Sequence, residues 1–131
     1  MRIVLDTNVL LGAFTTRGLC EAVMAVCLEH NEIVISDFIM DELGRHLRGK
    51  FRMPAKRTEE ILSFLREQGE VVKPETVESG ACRDSKDLKI LGTAVAGRAD
   101  CLVTGDDDLL TLKKFRGVAI LSPREFYDRL R

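Results

Sequence analysis

Arg2-Ile3-Val4-Leu5-Asp6 and Cys101-Leu102-Val103-Thr104-Gly105-Asp106 share one form: a short apolar run that ends at an acid. Short apolar runs bounded by polar residues read as buried strands. Working outward, Arg2–Leu5 is the first strand and the β-branched run Glu32–Ile35 the second. Glu70–Lys73 is a weaker third before Pro74, Cys101–Thr104 a fourth and Val118–Leu121 a fifth. Helical signals fill the gaps. Leu19–Leu28 carries apolar residues at helical spacing and stops near His30-Asn31. Ser36 or Asp37 caps a helix that passes Glu42 and reaches about Leu47. Pro54 sits in the first turn of another, with Ile61, Leu62 and Leu65 as its stripe and Gly69 as its end. Pro74–Arg83 reads as loop. Asp84 or Ser85 opens a helix through Leu88, Leu91, Ala94 and Val95, closed by Gly97. Asp106–Leu112 is a short helix. Ser122-Pro123-Arg124-Glu125 has the form of a capping box, which predicts a last helix over Pro123–Leu130.

Strands this short and this apolar predict a sheet covered on both faces. Their alternation with helices predicts a parallel, doubly wound α/β sheet of about five strands. A length of 131 residues fits one domain, 1–131, with a core that needs no disulfide. The four cysteines, Cys20, Cys27, Cys82 and Cys101, have no C-x-x-C spacing and no paired histidines, so they read as small buried hydrophobes. No apolar stretch is long enough for a membrane span. The first residues turn acidic at Asp6 before any signal-peptide core develops. A cytoplasmic location is the expectation.

In doubly wound sheets ligands sit at the carboxyl ends of the strands. Asp6 directly follows the first strand, and Asp106 follows the fourth after one glycine. Glu42 lies in the helix after the second strand, and Asp87 in the first turn of the helix before the fourth. Each of the latter two is placed to project towards the same edge. Converging carboxylates repel, and a hard divalent cation resolves the repulsion. Oxygen-only donors favour Mg²⁺ or Mn²⁺. The bland reading of a strand-end Asp is a helix cap, and most of the twenty-one acids are solvated surface.

Ile3-Val4-Leu5-Asp6-Thr7-Asn8-Val9-Leu10 resembles the opening of PIN domains, and Val103-Thr104-Gly105-Asp106-Asp107-Asp108-Leu109-Leu110 resembles their last acidic motif. Between them, Ile35-Ser36 followed by Glu42-Leu43 resembles the second acidic element. Cys82-Arg83-Asp84-Ser85-Lys86-Asp87 resembles the third, in the subgroup of VapC-like toxins from toxin–antitoxin pairs. The match runs in order over almost the whole chain. It implies a three-layer α/β/α sandwich and an Mg²⁺- or Mn²⁺-dependent ribonuclease. It further implies that Asp6, Glu42, Asp87 and Asp106 are catalytic, metal-binding acids, with Asp108 as a fifth ligand serving a second metal. Asn8 and Thr104 resemble groups that orient Asp6 and the fourth acid; simple capping of the turns after strands one and four is the other reading of both. Ser85 stands where the subgroup usually has proline, and Leu88 where a polar residue is common. Both Asp84 and Asp87 flank these departures; Asp87 is assigned as the ligand because Asp84 fits a helix cap. The reaction this resemblance implies is in-line hydrolysis of an RNA phosphodiester to a 5′-phosphate and a 3′-hydroxyl. Asp87 or Glu42 would take the proton of the attacking water. An antitoxin protein and a second copy of the chain are the partners it suggests.

The formal net charge of -1 gives no overall basic signature, but the charge is uneven. Between 45 and 57 lie Arg45, Arg48, Lys50, Arg52, Lys56 and Arg57, with no acid. Of these, Arg45, Arg48, Lys50 and Arg52 are the candidate RNA contacts. Phe51 reads either as a stacking platform for a base or as a residue packed inward beneath a solvated turn. Lys113, Lys114 and Arg116 make a smaller basic patch. His30 and His46 read as surface residues. Other phosphate chemistries fit poorly. A haloacid-dehalogenase-type phosphatase needs a second Asp where Asn8 stands. A response-regulator receiver needs an acceptor Asp and a Lys where the third and fifth strands end in Val72-Lys73-Pro74 and Leu121-Ser122-Pro123. The alternative to an enzyme is a PIN-like scaffold that binds RNA or a protein without cutting.

Overall fold

A computed structural model describes residues 1–130. Its strands are β1 (Arg2–Leu5), β2 (Glu32–Ser36), β3 (Gly69–Val72), β4 (Cys101–Val103), β5 (Lys114–Phe115) and β6 (Val118–Leu121). Its helices are α1 (Thr7–Thr15), α2 (Leu19–His30), α3 (Asp37–Arg48), α4 (Ala55–Gln68), α5 (Ser85–Ala96), α6 (Asp107–Leu112) and α7 (Pro123–Arg129). A 3₁₀ turn, Ser79–Ala81, interrupts the long loop before α5.

Among the described residues the strands form one six-stranded sheet, in the order β3-β2-β1-β4-β6-β5. All neighbours pair in parallel except β5, which runs antiparallel to β6. The chain steps outward from β1 to β2 and β3, then crosses to the other side of β1 at β4. Right-handed crossovers therefore put α1 to α4 on one face and α5 on the other. The packing agrees: α1 lies on α2 and α3, α4 on α3 and α7 on α2, whereas α5 packs against β1 and β2. The result is the expected three-layer α/β/α architecture. The reversal between β1 and β4 is the switch point, where such sheets open a crevice. Leu5 is in register with Val103, and the Asp6 N–H donates to the Val103 carbonyl at 3.0 Å. Asp6 and Thr104 thus leave the sheet at the same level.

Two elements escape the periodicity reading. Helix α1 begins directly after β1. Its sequence TNVLLGAFT contains helix-poor Thr, Asn and Gly and presents no continuous polar face. It is held instead by the Asp6 cap and by packing. A side chain at Gly12 would sit 3.0 Å from the Cβ and Sγ of Cys20, so glycine permits the close approach of α1 to α2. Strand β5 is two residues long and is made by the turn that follows it. Arg116 (φ 46°) and Gly117 (φ 83°) both have positive φ, as a two-residue hairpin turn requires. Arg116 also pairs with Glu78 and lies 5.2 Å from the Phe115 ring.

Ile3, Leu5, Ile35, Ile39, Leu43, Leu91 and Phe126 are among the fully buried side chains of the core. Cys27 and Cys101 are buried within it and Cys20 and Cys82 lie at its margin, all four as free thiols. Among the described residues no single helix is long and apolar enough to cross a membrane. The apolar pair α1–α2 bends by 102°.

Candidate functional site

Each acid is placed by a local device. Asp6 caps α1: its Oδ1 accepts from the Thr7 N–H at 2.7 Å. Its Oδ2 accepts from the Thr104 hydroxyl at 2.7 Å. That same hydroxyl oxygen accepts the Asp106 N–H at 3.0 Å, so one threonine ties together the ends of β1 and β4. Asp106 in turn caps α6, accepting from the Leu109 N–H at 3.1 Å. The Ser36 hydroxyl caps α3 through the Ile39 N–H at 3.4 Å. It also accepts from Thr93 of α5 at 2.9 Å. This buried pair fixes α3 relative to α5, and therefore Glu42 relative to Asp87. Glu42 accepts from the Thr7 hydroxyl at 3.0 Å. Asp84 caps α5 through the Lys86 N–H at 2.9 Å, which leaves Asp87 free to point inward from the first turn.

Asp6, Glu42, Asp87 and Asp106 line one cavity of about 280 Å³ at the carboxyl ends of β1 and β4. Asp6, Glu42 and Asp87 are only 7, 8 and 9 % exposed. Oxygens of Asp87, Asp106 and Asp108 all lie within 4.8 Å of one another. Asp108 stands on the outer side of this triad, facing a neighbouring groove, with Arg83 at 2.6 Å. Positive charge near the inner acids is sparse and exposed. Arg45 lies 3.8 Å and Lys86 4.0 Å from Glu42, and both side chains are more than half exposed.

The electrostatic consequence is direct. Burial pushes the Asp6 carboxyl above the usual carboxylate range. Hydrogen bonds from Thr104 and Thr7 pull against that shift, and the charges of Asp106 and Glu42 add to it. Asp87 is pushed up to about 7, first by burial, then by the charge of Asp106 and a hydrogen bond with it, and then by Asp84 and Asp6. The Cys82 thiol is raised by burial and by the nearby charges of Asp87, Asp106, Asp108 and Asp84. Clustered oxygen donors of which two, Asp6 and Asp87, resist ionisation are chemically suited to a hard divalent cation.

Thr104 contacts both strand-end acids. Asn8 is exposed on the cavity wall, and among the described residues its side chain makes no hydrogen bond. Three polar wall residues were given no role by the sequence pattern: Thr7, Lys86 and His46. His46 is half-buried rather than on the open surface. It lies four residues after Glu42, hence on the same face of α3, and that spacing is the signal that finds it. The basic segment divides. Arg45 reaches the cavity rim. Arg48 pairs with Glu59 at 3.9 Å, Lys50 lies 5.8 Å from the Phe51 ring, and Arg52 is exposed with φ 50°. Phe51 is 40 % exposed, so it is not packed inward.

A family model described as "PIN domain" matches residues 2–108. Three solved structures share the fold. A toxin–antitoxin complex from Klebsiella pneumoniae is 20 % identical, with TM-score 0.63, covering 92 % of this chain and 97 % of that one. VapBC2 from Rickettsia felis, bound to a promoter DNA fragment, is 17 % identical, with TM-score 0.62 and coverage of 93 % and 98 %. VapBC-1 from nontypeable Haemophilus influenzae is 19 % identical, with TM-score 0.61 and coverage of 95 % and 99 %. No curated protein sequence matches the chain significantly.

Proposed function

The chain belongs to the PIN domain family, and from that premise we propose that it is an Mg²⁺- or Mn²⁺-dependent endoribonuclease, the toxin of a toxin–antitoxin pair. One observation carries the reading. Acids from four separate segments converge on one cavity, three of them buried, and among the described residues no buried cation matches them. Like charges so placed are costly unless a metal compensates them. In this reading Asp6, Glu42, Asp87 and Asp106 hold the metal, with Asp108 as the outer ligand.

When bound, such an ion supplies a Lewis acid that activates water and offsets charge developing on the phosphate. The chain's own groups set the geometry. Thr104 and the Thr7 N–H hold the two oxygens of Asp6, and the Thr7 hydroxyl holds Glu42. Few rotamers remain for these acids to lose when they bind. Exposed Arg45 stands beside Glu42, and Arg48, Lys50 and Arg52 follow it along the end of α3 and the turn after it, a run of positive charge that would attract the RNA backbone. The three solved relatives are toxin–antitoxin complexes or VapBC pairs, which supports an antitoxin protein as partner.

The purified chain is expected to cut single-stranded RNA with Mg²⁺ or Mn²⁺, and EDTA or Asp6→Asn to abolish cutting. A highly active preparation that cuts equally well in EDTA would overturn metal catalysis. Several RNAs left intact with either metal would favour a binding scaffold.

A further inference from the structure

The cavity has two chemically different walls. One is formed by Asp6, Asp87 and Asp106, continued outward by Asp108. The other carries nitrogen donors: His46 and Lys86 line the cavity beside Glu42. His46 is the singular member of this wall. Among the described residues its ring has no hydrogen-bond or ion-pair partner, although it is half-buried. Glu42 is already engaged by the Thr7 hydroxyl at 3.0 Å and flanked by Arg45 and Lys86. His46 is also absent from the acid triad whose oxygens lie within 4.8 Å of one another. A half-buried ring without a partner, on the wall of a cavity built for anions and cations together, has an N–H to give.

Resting on the nuclease reading, we propose that His46 is a substrate-binding residue, whose ring N–H donates to a phosphate oxygen of the RNA held across the cavity. A neutral imidazole suffices for this, because one of its two nitrogens always carries a proton. The role is distinct from metal ligation, and the Mn²⁺-affinity measurement below separates the two. It also differs from the role of the exposed arginines, which act through long-range charge. Lys86, more than half exposed at 61 %, adds charge at the same wall.

The test compares wild type, His46→Ala and His46→Gln in three measurements. They are RNA affinity by fluorescence anisotropy with Ca²⁺ in place of a catalytic metal, cleavage kinetics with Mn²⁺, and Mn²⁺ affinity by calorimetry. A hydrogen bond to a charged group gives the expected scale. His46→Ala should weaken RNA binding and raise KM about tenfold, with kcat within about twofold and Mn²⁺ affinity unchanged. His46→Gln, which keeps an N–H donor, should restore most of the loss. Unchanged RNA affinity and KM in His46→Ala would overturn the assignment. So would a loss of Mn²⁺ affinity, which would make the ring a ligand, or a fall in kcat alone. RNA that the wild type binds more tightly than His46→Ala but never cuts would overturn the nuclease reading and keep this one. A wild type that binds no RNA would overturn both.

Discussion

The two ends of the sheet treat charge in opposite ways. At the amino ends, Arg2 pairs with Glu32 at 2.8 Å and with Glu70. Its Nε donates to the Gly97 carbonyl at 2.7 Å, and its N–H donates to Asp100 at 2.8 Å. The acids there are exposed, and a cation of the chain stands among them. At the carboxyl ends three of the acids are buried, their nearest cations are exposed side chains at the rim, and two carboxyls are pushed upward in pKa. The same residue type therefore does different things at each end. Exposed pairs contribute little and are readily replaced. Buried, uncompensated carboxylates destabilise the fold and persist only where an outside ligand gives them a use.

The sharpest way to break this contrast is to remove one acid from each end. Asp106→Asn keeps an oxygen that can accept the Leu109 N–H and therefore keeps the α6 cap. It removes a charge from the site. RNA cleavage should fall on the order of a hundredfold or more, with the far-ultraviolet circular dichroism spectrum unchanged. Glu32→Gln at the other end should leave cleavage within about twofold, as expected for an exposed pair. Equal losses at both ends would mean that the carboxyl end has no special chemistry.

Thr104→Val probes how the site is held. It deletes the hydroxyl that donates to Asp6 and accepts from Asp106, while keeping the volume of a fully buried side chain. Mn²⁺ affinity, measured by calorimetry, should drop about tenfold or more, the usual cost of losing a group that orients a ligand. An unchanged affinity would mean that the Thr7 N–H alone fixes Asp6.

The raised Asp87 carboxyl gives a smaller but more specific effect. Its ordinary value is 3.8 and its folded value about 7. Between those limits the folded protein keeps a proton that the unfolded chain releases. The contribution of Asp87 to metal-free stability thus falls as pH rises across that window. Asp87→Asn should become progressively more stable relative to wild type between about pH 4 and 7, read as the difference in Tm. Mn²⁺ binding at pH 6 should expel part of a proton, seen as a buffer-dependent calorimetric heat that disappears near pH 8. A Tm difference independent of pH, or no buffer dependence, would show that Asp87 is not held protonated.

How much of this was readable beforehand depends on the scale of the cause. Asp6 and Asp106 were legible because a strand's end and the doubly wound order place them side by side, and both facts follow from apolar runs a few residues long. Glu42 and Asp87 needed the phase of two helices against a sheet. That phase is set by the buried Ser36–Thr93 pair, 57 positions apart, and no local pattern announces it; the family motif supplied these two. Thr7 was hidden with helix α1, whose lack of a polar face erases the amphipathic signal. His46 was readable from its spacing to Glu42 only once Glu42 was known to face the cavity. Strand β5 follows from two positive-φ residues, and Arg116 is an uncommon choice for one of them.

The smallest effect tests the quiet end of the contrast. Arg2→Met removes both ion pairs and the hydrogen bond to Gly97, but keeps the aliphatic bulk and the backbone N–H to Asp100. Glu32 and Glu70 are 71 and 57 % exposed, so each can exchange a guanidinium for water at small cost. The loss should be under about 1 kcal/mol, a shift of a few degrees in Tm, and it should shrink in high salt as surface pairs are screened. Cleavage and Mn²⁺ affinity should not change. A large, salt-insensitive loss would mean that the Arg2 cluster is a buried structural network. The ends of the sheet would then differ in the sign of the charge they lack rather than in whether they lack it.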